Sequence, residues 1–411
     1  MKRALARLAL ASTLAAPAVG QVVVIEGGRV VPVSGEPIAS GTVLLRDGEI
    51  AAVGPDVPVP ADAVRIDASG KWVTPGLVHA QSRLGLVEVS SVRGTADSAV
   101  SDDPIAAAFN VFEGLNPASG LIPVSRGGGV TTALAIPTGG IISGQSVVID
   151  LAGETIEDMV VSSPAAMMLH LDEQAAGLAG GSRAELMALV RRLFAEARSW
   201  QTRPDDFQPW QRDTDATPSD LEALVPVLDG ELAVFVDANR RSDIENALRL
   251  AEDHDLRLVV TGGKEAWQSA PRLAELGTAV VINPLDNIPR YDGLRARLDN
   301  GALLETAGVP VVIIEADVPN ARNLRWAAGN AVANGMSWAG AFRAITLTAA
   351  EAIGVGERYG SLEPGKVANV VIWSGDPMEL GTAVERVFIR GVETSTANRQ
   401  NLLLNRYLGE R

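Results

Sequence analysis

The sequence predicts an α/β protein, a TIM-like (β/α)8 barrel with a small β-sandwich made from both ends of the chain. Short β-rich runs broken by Gly, Asp and Pro fill residues 21–68. A second β-rich patch, GSLEPGKVANVVIWSG with VERVFIRGVE, lies near the other end. Between them, apolar runs alternate with helical segments, and 411 residues are enough for one barrel with an appendage.

Residues 1–20 read as a secretory signal. Lys2, Arg3 and Arg7 precede an apolar stretch over residues 8–16, and Ala18-Val19-Gly20 offers small residues for cleavage. The expectation is an exported protein, periplasmic or extracellular, with a mature start near Gln21. Residues 21–72 and 358–395 form the expected composite sandwich, since neither piece alone buries a core. Residues 73–357 form the expected barrel and residues 396–411 a C-terminal tail. Within the barrel the runs WVTPGLV, GVTTALAIP, AAMMLHL, LAVFVDA, LRLVVTG, TAVVINP and VPVVIIEAD suit strands buried on both faces. SGQSVVIDLAGE reads as a hairpin inserted in a loop, and RPDDFQPWQRDTDATPSD as an exposed loop. After LAVFVDA, Ile244, Ala247, Leu248 and Ala251 recur at helical spacing, with Ser242 or Asp243 available as a cap.

Composition narrows the partners. The formal charge is -15, and losing the three positive charges of the signal makes it -18, which repels nucleic acid and anionic lipid. With no cysteine, thiol chemistry, disulfides and a lipidated-cysteine anchor are excluded. No segment after the leader reaches the ~20 apolar residues of a membrane helix. The expected partner is a small-molecule substrate or ligand, with no nucleic acid and no membrane insertion; a homo-oligomer is left open.

Val73-Thr74-Pro75-Gly76-Leu77-Val78-His79-Ala80-Gln81-Ser82-Arg83 resembles the first barrel strand of the amidohydrolase superfamily, imidazolonepropionase-like proteins among them. There the pattern is Pro-Gly, two apolar residues, then Asp-Ala-His-x-His. Residues 360–371, GSLEPGKVANVV, resemble the family's sandwich signature, with Asn369 where Asp is usual. The resemblance implies a metal-dependent hydrolase of carbon–nitrogen bonds in non-peptide or cyclic amides, one or two divalent ions activating a water.

Residue by residue, the implied metal site is degraded. Gln81 and Arg83 stand where the paired histidines belong, and a guanidinium offers only donors. His79 replaces the family's Asp and, by strand alternation, shares a face with Gln81. His170 ends MMLHLDE, with Asp172 and Glu173 beside it; Asp237 occupies a histidine position, with Asn239 two further on. Thr261-Gly262-Gly263 replaces a His-Gly, and Lys71, Lys264 and Lys366 are not placed to bridge two metals. The resemblance makes Asp317, ending VPVVIIEAD, the catalytic acid/base and a metal ligand. The candidate ligands are thus His79, His170, Asp237 and Asp317, for one weakly held divalent ion such as zinc or for none. Gln81, Arg83, Asn239 and Trp267 are candidate substrate-binding residues. Two functions stay open: a hydrolase with a degraded metal site, and an inactive barrel of the same type that binds a ligand or partner in the periplasm.

Overall fold

The structure is a computed structural model that describes residues 22–203, 214–286, 288–315 and 318–409. The leader expected over residues 1–20 and most of the RPDDFQPWQRD loop lie outside the described residues.

Strands are numbered in chain order. β1 (Val23–Val30), β2 (Ile38–Arg46), β3 (Glu49–Gly54), β4 (Val64–Asp67) and β5 (Trp72–Pro75) join β14 (Val370–Trp373), β15 (Val384–Ile389) and β16 (Val392–Glu393) in one eight-stranded sheet. β14 pairs antiparallel with β5, stitching the two ends of the chain together. β1 pairs with β4 through its first half and with β5 through its second. Ile25, Leu45, Ile50, Val370 and Phe388 give this sheet its own core. The run WVTPGLV is not one strand: its first half is β5 and its second half starts the barrel, so the border falls at Gly76 and not at Val73. Gly76 N donates to Asn369 O at 2.9 Å. A Cβ at Gly76 would lie 2.1 Å from Thr131 Oγ1, so only glycine lets the chain cross between the sheets there.

The barrel sheet runs β6 (Leu77–Ser82), β7 (Val130–Ala135), β8 (Ile142–Asp150), β9 (Val160–His170), β10 (Ala233–Ala238), β11 (Leu258–Gly262), β12 (Ala279–Ile282), β13 (Val311–Ile313). Seven of these are the predicted runs. The eighth, β8, is the segment read as an inserted hairpin; it is a full wall strand, antiparallel to both β7 and β9. Alternation sorts the side chains: Val78, Leu134, Val148, Met168, Phe235, Val259, Val281 and Val312 fill the lumen. Leu77, Ala133, Val147, Met167, Val234, Val260 and Val280 face the surrounding helices. At ~1.5–3 kcal/mol for each fully buried aliphatic side chain, these two layers carry the fold without many aromatics.

Helix Arg241–His254 follows β10 and buries Ile244, Ala247 and Leu248 as its periodicity requires. Neither Ser242 nor Asp243 caps it. The N-cap is Arg240, and the Asp243 carboxylate is taken by Arg183 Nε and Arg240 Nε, each at 3.0 Å. His254 ends the helix and meets Phe194 edge-on, a packing role on the face away from the strand ends that carry the site. The tail contains helix Arg399–Leu408, capped by Asn398. No described helix is long and apolar enough to cross a membrane.

Candidate active site at the barrel mouth

Pairing places three polar residues in one row at the carboxyl ends of adjacent parallel strands. His170 is opposite Asp237, and Asp237 is opposite Thr261. Each lies two residues beyond a lumen residue, Met168, Phe235 or Val259, so all three face the lumen at its mouth. His170 Nδ1 is 3.9 Å from Asp237 Oδ2, and Asn239 Nδ2 donates to Asp237 Oδ1 at 3.0 Å. Asn239 Oδ1 and Thr261 Oγ1 are buried without a hydrogen-bond partner. A buried polar atom left unsatisfied costs about 1–3 kcal/mol, so both atoms fit a site that waits for a polar ligand.

Asp172, next to His170, caps helix Glu173–Leu178 by accepting from Ala175 N at 2.8 Å. Burial raises its carboxyl above the ordinary range, the Ala175 N–H opposes that, and the Asp237 charge adds to it. Negative charge therefore concentrates at the mouth around a single imidazole.

Gly262 makes room for this arrangement. Its φ is +76°, and a Cβ there would lie 2.5 Å from Asn239 Oδ1 and 2.9 Å from Asp237 Oδ1. Gly262→Ala is expected to lose ~1–3 kcal/mol from the left-handed backbone alone, and more from displacing Asn239 and Asp237. Gly181→Ala, with φ +89° and nothing within 4 Å, meets the same backbone cost without the contact. Chemical denaturation of both variants should show the larger loss at 262; equal losses would mean the Asp237–Asn239 pair is not packed as described.

His79 is not with the others. Its partner on β7 is Ala133 and that of Ser82 is Ala135, so three residues of β6 span two of β7. Ala80 and Gln81 together oppose Leu134, a bulge in β6, and Val78 and Ala80 are the residues of this strand that enter the lumen. His79 lies on the outward face. Its Nε2 donates to Glu315 O at 2.9 Å and its Nδ1 accepts from Gln81 N at 3.4 Å, so neither nitrogen is left for a metal. The ring instead bridges the two end strands of the barrel sheet, from β6 to Glu315 just after β13. Burial drives it down to about 4 and keeps it neutral.

Arg83, half-buried, follows the end of β6. Trp267 is engaged in packing: its Nε1 donates to Arg295 O at 3.1 Å and Arg297 covers its ring at 4.9 Å. Lys264 pairs with Asp286 at 2.9 Å, Lys366 donates to Gly356 O at 2.7 Å, and Lys71 pairs with Glu385. Asp317 lies outside the described residues. Ser143, which the sequence reading passed over, reaches the site: its Oγ is 2.7 Å from His170 Nε2.

A catalytic zinc ordinarily takes three protein ligands. His170 Nδ1 and Asp237 Oδ2 supply two, and among the described residues no group of three or more His, Cys, Asp or Glu forms a metal-holding cluster. The described donors alone do not fit the ion.

An α/β barrel whose polar groups gather at the carboxyl ends of its strands, with a composite sheet from the chain termini, is a TIM-like barrel. The profile of the Amidohydrolase family matches residues 291–394. An amidohydrolase of known structure from Thermotoga maritima MSB8 superposes with a TM-score of 0.83 at 27% identity, over 92% of this chain and 100% of that one. Amidohydrolase tasK of Hapsidospora irregularis is 25% identical over 85% of this chain, which spans only 39% of that protein's length. A dihydroorotase of Anaeromyxobacter dehalogenans (strain 2CP-C) is 47% identical over 57 residues, 14% of this chain and 13% of that protein. Together these matches support assignment of the chain to the amidohydrolase superfamily.

Proposed function

We propose that this protein is an exported hydrolase of a carbon–nitrogen bond in a small non-peptide or cyclic amide, acting at the barrel mouth. The observation that carries the reading is the His170–Asp237 pair, 3.9 Å apart, with unsatisfied Asn239 Oδ1 and Thr261 Oγ1 buried at the same strand ends. A water held between an imidazole nitrogen and a carboxylate oxygen is oriented by both, and either can take its proton as it attacks a carbonyl carbon. Asn239 and Thr261 present an acceptor and a hydroxyl suited to the N–H and C=O of an amide. Asp317 is kept as acid/base on the resemblance. One weakly held zinc would need Asp317 to join His170 and Asp237.

Purified full-length protein tested on amides, lactams, hydantoins and dipeptides, with and without added zinc, checks the reading. Turnover that Asp237→Asn lowers by ~10²-fold or more is the expected result. Saturable binding of such compounds without turnover by the wild type, with or without zinc, would overturn it in favour of a ligand-binding barrel, the reading that Gln81 and Arg83 favour. Zinc content is measured on the same samples: uptake lost in both Asp237→Asn and Asp317→Asn is expected if the two carboxylates share an ion.

A further inference from the structure

We propose that Ser143 is a positioning residue of the mouth and that it makes Nδ1, not Nε2, the working nitrogen of His170. The proposal deepens the reading of the mouth as the active site.

Ser143 lies near the start of β8, the antiparallel strand, and is 2% exposed. Its Oγ is 2.5 Å from Gly139 O and 2.7 Å from His170 Nε2. A serine hydroxyl has one proton. Gly139 O can only accept, so the hydroxyl proton is spent there and Oγ offers His170 nothing but lone pairs. Nε2 must then carry the ring proton and donate to Oγ. In the neutral ring this leaves Nδ1 as a bare acceptor.

That bare nitrogen faces Asp237 Oδ2 across 3.9 Å, while Asp237 Oδ1 is occupied by Asn239 Nδ2. Two acceptors at this separation make no direct bond. They form a cradle for a donor between them, whether a water or a substrate N–H. The other tautomer would turn Nδ1–H towards Asp237, drawing the two side chains together across the 3.9 Å gap and removing the nitrogen lone pair from the cradle. Asp237 pulls towards that tautomer and Ser143 holds against it, so the serine decides whether the site is open. Outer partners that fix a ring in this way commonly matter ~10–100-fold to the function of the group they hold.

The chain has three histidines, His79, His170 and His254, so 15N-histidine labelling of the full-length protein reads the tautomer without a substrate. His170→Gln and His254→Gln spectra assign the signals. At about pH 8, the expected wild-type signal for His170 is a protonated Nε2 with an unprotonated Nδ1. Ser143→Ala is expected to shift His170 to the Nδ1–H form, and Ser143→Thr, which keeps the hydroxyl, to retain the wild-type form. An Nδ1–H tautomer in the wild type, or no change in Ser143→Ala, would overturn the assignment. Covalent capture of Ser143 by a fluorophosphonate would also overturn it, because that would make the serine a nucleophile. The tautomer and the turnover assays fail separately: a protein inactive on every amide but with the expected spectra refutes the hydrolase reading and leaves Ser143 where it is placed here.

Discussion

Asn369→Asp is expected to destabilise the protein by ~3–5 kcal/mol near neutral pH, the scale of an uncompensated buried charge. Asp150, at the end of β8, is fully buried beneath the barrel. Its Oδ1 accepts from Thr132 Oγ1 and from Asn369 Nδ2, each at 2.9 Å, and its Oδ2 from Tyr359 OH at 3.2 Å. Arg390 Nε approaches to 3.6 Å. An aspartate at 369 would turn the amide donor into a second carboxylate oxygen facing the first, and one of the two must then keep a proton. Burial already raises Asp150 above the ordinary carboxylate range, the Thr132, Asn369, Arg390 and Tyr359 contacts opposing that. A pair that holds its proton above the unfolded value of ~4 loses stability as pH rises. Urea unfolding should therefore show the gap between variant and wild type widening from acid to neutral pH. The exchange Asp150→Asn with Asn369→Asp restores one carboxylate and one amide, so the double variant should recover part of the loss. Additive losses with no pH-dependent gap would contradict this account.

That pair also explains one departure from the family pattern. The sandwich signature usually carries Asp where this chain has Asn369, and here the carboxylate comes from β8 of the barrel instead. In this chain one amide, Asn369, and one carboxylate, Asp150, join the two sheets. No sequence reading could see the pairing, because Asn369 and Asp150 are 219 positions apart and meet only through β8. The wall strands that are long aliphatic runs were legible, since burial on both faces leaves its mark in composition. β8 was not: SGQSVVID, with Gly144 and two serines, resembles a hairpin, and its antiparallel course breaks the βα rhythm. Ser143 was lost with it. His170 and Asp237 were legible as polar residues ending apolar runs, but their adjacency required the order β9–β10. His79 was misplaced for a different reason. Alternation relates neighbours to one another but does not say which set faces inward, and on β6 Val78 and Ala80, not His79, enter the lumen.

The second large effect comes from His79 itself. Its ring is neutral in the fold, with Nε2–H donating to Glu315 O and Nδ1 accepting from Gln81 N. Protonation would put a second N–H against the Gln81 amide inside a site that is 1% exposed, which is why burial drives the ring down to about 4. Unfolded, the same histidine titrates near 6.5. Between those values the unfolded chain binds more protons than the folded one, so stability is intact above about pH 6.5 and falls as pH drops towards 4. The full shift corresponds to ~3 kcal/mol. His79→Gln retains a donor for Glu315 O but has no imidazole to protonate; it should cost ~1 kcal/mol at neutral pH and lose stability less steeply in acid. Carboxylates titrate in both proteins, so the difference between the two urea-denaturation curves isolates His79, and parallel curves down to about pH 4.5 would show that its proton affinity is not tied to folding. His79 holds Glu315, two positions before Asp317 in sequence, so acid that protonates His79 disturbs a residue close in sequence to the proposed acid/base. Amide turnover, where found, should then decline with falling pH more steeply in wild type than in His79→Gln.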